Sequence, residues 1–395
     1  MPSGRWHPLL RSAFVAAAWL LLTSSAGGAP FAFVPSSGSP QLTVIDTATD
    51  TVAATVPLGA PATGVAIDRT GQRVYIAGGG FLTIIDAATH TVVATTPIEH
   101  AFGVAIDPAG TRAYVTREFG GTVSRPVVVV DTASATVIGT ISMGNTNLST
   151  SGIAIDATGG TLFVSSMDGV SGGAVTLIDA RTDTRIGGIG FIFIWPVGVA
   201  LSPDGSKLYV ACRGTGAARD HYRATLVIDV ATRQITGWLS TITDPIGARG
   251  VPPYAVAVHP AGQRVYVTSD DGLWSFDVAT NALVARAPGA NLRGVAVHPD
   301  GTRVYAADYG SSSVNVYDAA TLRLVASVHV GSAPIALGMF IGPPASPPPP
   351  PQALAPSEVP TMSSMLLFAT ALLVGLLGFG ALSIRGVSHG LGRRR

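Results

Sequence analysis

Short apolar runs separated by small and polar residues recur along this chain between residues 31 and 342. One unit contains four such runs, which read Gly-Val-Ala-Ile, Val-Tyr-Val, Val-Ile-Asp and Thr-Val-Val-Ala-Thr. They are rich in Val, Ile, Thr and Tyr and are bounded by Gly, Pro, Asp and Ser, which is typical of short β-strands joined by tight turns. The pattern therefore predicts four antiparallel strands in each unit.

The unit occurs seven times at intervals of 39 to 57 residues, a period typical of repeat arrays and propellers. Its first strand opens at Gly64, Gly103, Gly152, Gly198, Ala255, Gly294 and Ala336. Its second strand carries the aromatic residue Phe33, Tyr75, Tyr114, Phe163, Tyr209, Tyr266 or Tyr305. Its third strand ends on Asp46, Asp86, Asp131, Asp179, Asp229, Asp277 or Asp318. Four strands per unit, repeated radially, predict an all-β, seven-bladed β-propeller over residues 31–342.

The seventh unit is divided between the two ends of the repeat region. Residues 31–59 supply three of its strands, and residues 335–341 supply its innermost strand. A shared blade closes the ring, so that neither terminal strand is left as an open sheet edge. We number blades 1 to 6 from the units that open at Gly64 through Gly294, and the shared blade is blade 7.

The text of the repeat resembles the YVTN family of seven-bladed propellers over nearly all of residues 31–342. Tyr-Val-Thr stands at 114–116 and at 266–268, which matches three letters of the family motif, but no asparagine follows either threonine. The resemblance implies the fold, and it implies little about chemistry.

Loop lengths distinguish the two faces of the predicted ring. Eleven residues always lead from the first-strand glycine or alanine to the aromatic residue of a complete unit. The step from aromatic to aspartate varies from 11 to 20 residues, and the step from aspartate to the next unit varies from 17 to 26. Because strands alternate in direction, this variation falls on one face, which we call the elaborated face, and it is largest in blades 2 to 4. The opposite face, the fixed face, keeps its turns short.

Non-repeated residues on the elaborated face are the candidate binding residues, because functional residues collect on loops of a rigid scaffold. Arginine with aromatic and histidine residues is also typical of a recognition surface. The candidates are Arg117, Glu118, Arg125, Asp168, Trp195, Arg213, Arg219, Asp220, His221, Tyr222, Arg223, Arg249 and Tyr254. The run from Arg219 to Arg223 is the leading candidate because it lies in the longest insertion. The alternative is a set of solvated loops with scattered salt bridges.

Repeated polar residues are assigned to turns instead. Each of the seven aspartates is followed three residues later by Thr or Ser, a pair that closes turns through side-chain hydrogen bonds. His259 and His298 occupy a turn position that other units fill with Asp or Ser. The chain has no Gly-Lys phosphate-binding pair and no His-Glu-x-x-His site, and Cys212 is its only cysteine. We therefore predict no cofactor and no metal.

The N-terminus has the features of a secretory signal peptide over residues 1–26. Arg5 and Arg11 precede an apolar run at 12–22, and small residues lead to a predicted cleavage after Ala26. Eleven residues make about 16 Å of helix, which is too short to cross a hydrocarbon core of about 30 Å.

The C-terminus predicts a stiff linker followed by a membrane helix. Residues 343–358 are proline-rich and favour extended polyproline II. Residues 364–384 carry no charge and make about 31 Å of helix, enough to span a bilayer. Arg385 and the cluster at 393–395 follow, so the positive-inside rule places the propeller on the periplasmic or cell-surface side.

Residues 359–395 also resemble the C-terminal sorting signals of the PEP-CTERM type, most closely the IPTL-CTERM variant. Val359, Pro360, Thr361 and Met362 stand at the motif positions, and the arginine cluster closes the tail. The resemblance implies recognition by a membrane sorting protease and transfer of the mature protein to the envelope or surface. A plain single-span anchor is the alternative.

Three functions follow from these features. The leading hypothesis is a non-catalytic, monomeric binding or scaffold protein with an unknown protein or small-molecule ligand. A propeller enzyme of the extracytoplasmic lactonase or redox type is the second, with His221, Asp220 and Glu118 as its acid–base set. DNA binding is the third, through a patch of Arg117, Arg125, Arg213, Arg219, Arg223 and Arg249. Residues 31–342 hold 18 basic and 22 acidic residues, a balance that does not favour nucleic acid.

Overall fold

Seven antiparallel sheets follow one another along the chain in the computed structural model. The structure describes residues 30–118, 125–144, 149–167, 172–192, 194–214, 223–241 and 251–342. Within these ranges, no helix is long and apolar enough to cross a membrane. The predicted signal peptide, linker, spanning helix and sorting motif lie outside them.

The strands have the following bounds. Blade 7 begins with β1 (Phe31–Pro35), β2 (Gln41–Asp46) and β3 (Thr51–Pro57). Blade 1 contains β4 (Gly64–Ile67), β5 (Arg73–Gly78), β6 (Phe81–Asp86) and β7 (Thr91–Pro97). Blade 2 contains β8 (Ala101–Ile106), β9 (Arg112–Arg117), β10 (Val127–Asp131) and β11 (Thr136–Ile141). Blade 3 contains β12 (Ser149–Ile155), β13 (Thr161–Met167), β14 (Gly172–Asp179) and β15 (Thr184–Ile192).

The remaining blades repeat the same order. Blade 4 contains β16 (Pro196–Leu201), β17 (Lys207–Cys212), β18 (Ala224–Asp229) and β19 (Gln234–Ser240). Blade 5 contains β20 (Pro253–Val258), β21 (Arg264–Ser269), β22 (Gly272–Asp277) and β23 (Leu283–Pro288). Blade 6 contains β24 (Leu292–Val297), β25 (Arg303–Asp308), β26 (Ser313–Asp318) and β27 (Leu324–His329). Each blade pairs its strands in sequence order, so the predicted seven-bladed fold is confirmed.

Burial of the strands follows their place in the blade. Second and third strands such as β5 and β6 are mostly buried, whereas fourth strands such as β7 expose most of their residues. The hydrophobic clusters lie between neighbouring blades, and one of them joins Tyr209 of blade 4 to Trp274 of blade 5. The aromatic residue of the second strand is buried in all seven units. The repeated residues therefore build the core between blades.

The ring closes through the shared blade, as the split repeat predicts. Residues 334–341 run antiparallel to β1, with bridges from Ala32 to Ile341 and from Ser36 to Pro334. The backbone N–H of Phe33 donates to the Phe340 carbonyl at 2.8 Å. Terminal segments that pair with each other leave no unpaired inner edge in blade 7.

Small first-strand residues allow the inner strands to approach one another closely. A Cβ added to Gly103 would lie 2.6 Å from the carbonyl oxygen of Ser151 in the next blade. The Thr116 hydroxyl reinforces this junction, because it accepts from Gly103 N at 2.8 Å and donates to that Ser151 carbonyl at 2.6 Å. The threonine of the Tyr-Val-Thr text thus has a structural role in blade 2.

Turns on the fixed face use the repeated aspartates as predicted. Asp86 Oδ1 accepts from the backbone N–H of Thr89 at 2.9 Å and from its hydroxyl at 3.0 Å. These hydrogen bonds lower the pKa of Asp86 because they stabilise the carboxylate. His259 makes an equivalent contact, since its Nδ1 accepts from Ala261 N at 3.0 Å. The turn assignment is confirmed at these positions.

Candidate binding site

Two positions of the repeat bring non-repeated side chains together at the centre of the elaborated face. One lies four residues after the second-strand aromatic, just beyond the end of that strand, and the other immediately precedes the first-strand glycine or alanine. The two strands are antiparallel, so the end of one lies beside the start of the other. The first position holds Glu118, Arg213, Asp270 and Tyr309, and the second holds Tyr254 and Arg293. We call these six residues the mouth cluster.

Tyr254 of blade 5 lies at the middle of the mouth cluster. The Arg293 guanidinium carbon lies 3.6 Å from the centroid of its ring, and that of Arg213 lies 4.1 Å from the same centroid. Arg293 also lies 5.3 Å from the ring centroid of Tyr309. These distances are within the range of about 6 Å at which a cation is attracted to an aromatic ring. Blades 4, 5 and 6 thus contribute to one stacked layer.

The two arginines of this layer differ in their polar partners. Arg293 donates from Nε to Asn291 Oδ1 at 2.6 Å, and its guanidinium lies 3.5 Å from Asp270 Oδ1. Arg213 forms no ion pair with any carboxylate that the structure describes, although the charges of Glu118 and Asp270 act on it. Stacking on Tyr254 is therefore the principal contact described for the Arg213 guanidinium.

Burial shifts the pKa of each charged member of the mouth cluster. It lowers the pKa of Arg293 to about 10, and repulsion from Arg213 lowers it further. It also lowers the pKa of Arg213. Burial raises the pKa of Glu118 and of Asp270, and the nearby charge of Arg213 offsets only part of that rise. These groups are poorly hydrated for charged side chains, which is the usual property of functional-site residues.

Arg117 and Arg125 lie beside Glu118 on blade 2. Arg117 donates from Nε to the Glu99 carbonyl at 2.8 Å, and its guanidinium lies 3.6 Å from the Glu99 carboxylate. Burial lowers the pKa of Arg117, and the charge of Arg125, itself a buried residue, adds to this effect. Blade 2 therefore adds positive charge to this face.

The other predicted residues fall into two groups. Arg223 is close enough for its charge to act on Asp270, and the Trp195 carbonyl accepts from Arg213 N at 2.9 Å. The Trp195 indole N–H is buried and has no hydrogen-bond partner within the part of the chain that is described. The predicted residues outside that part are Asp168, Arg219, Asp220, His221, Tyr222 and Arg249.

Loop length alone did not identify Asp270, Arg293 and Tyr309, because blades 5 and 6 have short loops. The structure extends the candidate site from blades 2 to 4 into these two blades. A comparison of one repeat position across units could have found part of the site. Four residues after the aromatic, the units read Ser37, Gly79, Glu118, Met167, Arg213, Asp270 and Tyr309. A position that changes from small to charged within a strict repeat indicates a role other than folding.

A separate cavity of about 250 Å³ lies on the fixed face between blades 6 and 7. Inside it, His298 Nδ1 lies 2.7 Å from Asp300 Oδ1, and His298 Nε2 lies 3.2 Å from Thr47 Oγ1. This order resembles a hydroxyl–imidazole–carboxylate triad. The Thr47 hydroxyl, however, donates its proton to the Pro30 carbonyl. The imidazole is therefore not placed to accept that proton, and the cavity is a weaker candidate than the mouth cluster.

Two further motifs give no site in the described residues. Residues 169–173 have the spacing Gly-x-Ser-x-Gly, but β14 begins at Gly172, whereas a nucleophile elbow requires a helix after the serine. No group of three or more His, Cys, Asp or Glu side chains within the described ranges is arranged to hold a metal ion. Cys212 is buried, and burial raises its pKa.

Comparisons with known proteins support the fold alone. No protein-family model and no curated protein matches the chain. Hydrazine synthase of Kuenenia stuttgartiensis is similar in structure, with a TM-score of 0.64 at 20% identity over 74% of this chain and 96% of the other. A functionally unknown protein of Desulfotomaculum acetoxidans gives 0.58 at 17% identity over 79% and 98%. The Cps50 (Swd1) β-propeller domain of Myceliophteria thermophila gives 0.58 at 15% identity over 73% and 96%.

Proposed function

We propose that this chain is an exported, non-catalytic binding protein that holds its ligand or partner at the mouth cluster. The observation that carries the proposal is the stacking of Arg213 and Arg293 on Tyr254, at positions where other units carry small or apolar residues. Arginine and tyrosine are enriched among the residues that dominate binding energy, because they combine a large contact area with directional donors.

The contrast between the two faces supports a binding role. The fixed face uses its charges in local turns, as Asp86 does with Thr89. At the mouth, Glu118 and Arg213 are half-buried, and neither forms an ion pair with a residue that the structure describes. Half-buried charges without close partners cost folding free energy. A ligand that supplies the missing partners explains why the chain carries them.

The test is capture of an envelope component by immobilised full-length protein. Arg213→Ala is expected to reduce capture strongly, because the variant loses both a charge and a stacked donor group. Arg323→Ala is the matched control, since Arg323 is an exposed arginine of blade 6 on the fixed face. A triple replacement of Arg219, His221 and Arg223 measures the contribution of the long insertion. Equal capture by Arg213→Ala and Arg323→Ala would contradict the proposal.

Export and anchoring form the second part of the proposal, and they rest on the sequence of the two ends. Residues 1–26 act as the leader, and residues 359–395 act either as a sorting signal or as a plain anchor. Intact-mass measurement of the envelope protein distinguishes the two, because processing near Val359 to Met362 removes the arginine cluster. A full-length C-terminus in the membrane fraction would defeat the sorting alternative, and an uncleaved cytoplasmic protein would defeat export.

One observation favours an enzyme as the alternative function. Burial raises the pKa of Glu118 at the mouth, and a carboxyl with a raised pKa is a candidate acid or base. A screen for lactone hydrolysis with the wild type and with Glu118→Gln tests this alternative. Activity that disappears in Glu118→Gln would replace the binding proposal, whereas absence of turnover in both proteins would favour it.

A further inference from the structure

Stacking on Tyr254 leaves the edges of two guanidiniums available for binding. A guanidinium carries five N–H donors in its plane, and its face packs on the aromatic ring. Arg293 gives one donor to Asn291 and has Asp270 at 3.5 Å. Arg213 has no side-chain hydrogen bond or ion pair with a residue of the described ranges. Several donors at the mouth therefore lack an acceptor from the described protein.

The two stacked cations also repel each other. They share one ring, at 4.1 and 3.6 Å from its centroid, and the side chain of Arg293 is only 16% exposed. Burial and this repulsion act in the same direction on the pKa of Arg293, which falls to about 10. An anion between the two guanidiniums would offset the repulsion and replace the lost hydration.

The surroundings of the layer favour an anion over a cation. Arg117, Arg125 and Arg223 add positive charge nearby, while Glu118 and Asp270 are the carboxylates whose charges act on Arg213. Residues 31–342 as a whole have more acidic than basic residues, so this is a local concentration of arginine. Beneath the layer, Phe102 of blade 2 packs against the hydrophobic cluster of blades 5 and 6. An apolar floor of this kind strengthens charge interactions above it.

We infer that Arg213 and Arg293, held on the ring of Tyr254, form a subsite for an oxyanion group of the ligand, either a carboxylate or a phosphate. This inference rests on the proposed function and adds the chemistry of the group that is bound. Planar guanidinium edges match such oxygens through paired, charge-assisted hydrogen bonds. Glu118 approaches Arg213 without forming an ion pair, so its charge competes with the bound oxyanion.

The test is calorimetric titration of the full-length protein with citrate and with pyrophosphate at constant ionic strength. We expect binding of at least one probe and none of glucose. Arg213→Ala is expected to weaken that binding about tenfold or more, the loss typical of a charge-assisted hydrogen bond. Arg323→Ala on the fixed face is expected to leave it unchanged. Binding of citrate alone assigns a carboxylate, and binding of pyrophosphate alone assigns a phosphate.

Substitutions of Tyr254 test the platform itself. Tyr254→Phe keeps the aromatic face and is expected to retain binding, whereas Tyr254→Leu removes it and is expected to weaken binding. If Arg213→Ala fails to fold, Arg213→Lys replaces it, because lysine keeps the charge and loses the planar fork. Absence of binding by both probes overturns the inference, as does equal affinity of the Arg213 and Arg323 variants. In either case, partner capture that still depends on Arg213 would leave the proposed function standing.

Discussion

Replacement of Gly198 by alanine should destabilise the ring and disturb the mouth cluster together. Gly198 opens the first strand of blade 4, and its Cα faces the backbone of blade 5. An added Cβ would lie 2.7 Å from the carbonyl oxygen of Tyr254 and 2.9 Å from the Cα of Ala255. Both neighbours are backbone atoms of a buried strand, so no flexible side chain can move aside.

The expected magnitude follows from the distance that blade 5 must move. A carbon–oxygen contact normally requires about 3.3 Å, so the strand that carries Tyr254 must shift by roughly 0.6 Å. Overpacking of this kind costs about 1–3 kcal/mol. For a domain of this size, 1 kcal/mol corresponds to about 2 °C, so we expect the unfolding midpoint to fall by roughly 2–6 °C. The same shift displaces the Tyr254 ring under Arg213, and binding at the mouth should weaken as well.

Gly190→Ala is the matched control. Gly190 lies in the outer strand β15, has no left-handed φ, and an added Cβ would meet no atom within 4 Å. Alanine there restricts the unfolded chain and is expected to stabilise the fold by about 0.4–1 kcal/mol. Thermal unfolding followed by the fluorescence of buried Trp274, at the junction of blades 4 and 5, reports both variants. If Gly198→Ala were as stable as wild type, the close approach of inner strands would not limit this position.

Two further substitutions test the hydrogen bonds and charges of the ring. The Tyr114 hydroxyl donates to the Ala180 carbonyl of the next blade at 3.1 Å, whereas the Tyr209 hydroxyl has no partner in the described ranges. Tyr114→Phe should therefore cost about 1 kcal/mol in urea unfolding and Tyr209→Phe about nothing, and equal costs would argue against the inter-blade bond. Burial raises the pKa of Glu118, so folding stability falls as pH rises from the unfolded pKa of about 4.3 through the folded value. Glu118→Gln should thus raise the unfolding midpoint at pH 8 and change it little at pH 4, and the same change at both pH values would refute this reasoning.

The fold was predictable because its determinants recur. Each unit repeats the same small first-strand residue, the same buried aromatic and the same turn aspartate, so an error in one unit is corrected by six others. The candidate site was predictable only in part. Arg213, Glu118 and Tyr254 were found because they differ from the repeat near long loops, whereas Arg293 and Tyr309 lie at standard-length loops and were missed.

The sequence by itself determined the number of blades, the shared blade that closes the ring, and the division into a fixed and an elaborated face. These properties depend on local strand and turn preferences and on a period that can be counted along the chain. Only the tertiary structure decided which side chains meet. Arg213, Tyr254 and Arg293 lie 39 to 41 residues apart along the chain, and they come into contact because neighbouring blades place equivalent strand ends side by side. The burial that shifts their pKa values likewise arises from the packed ring and has no counterpart in the order of residues.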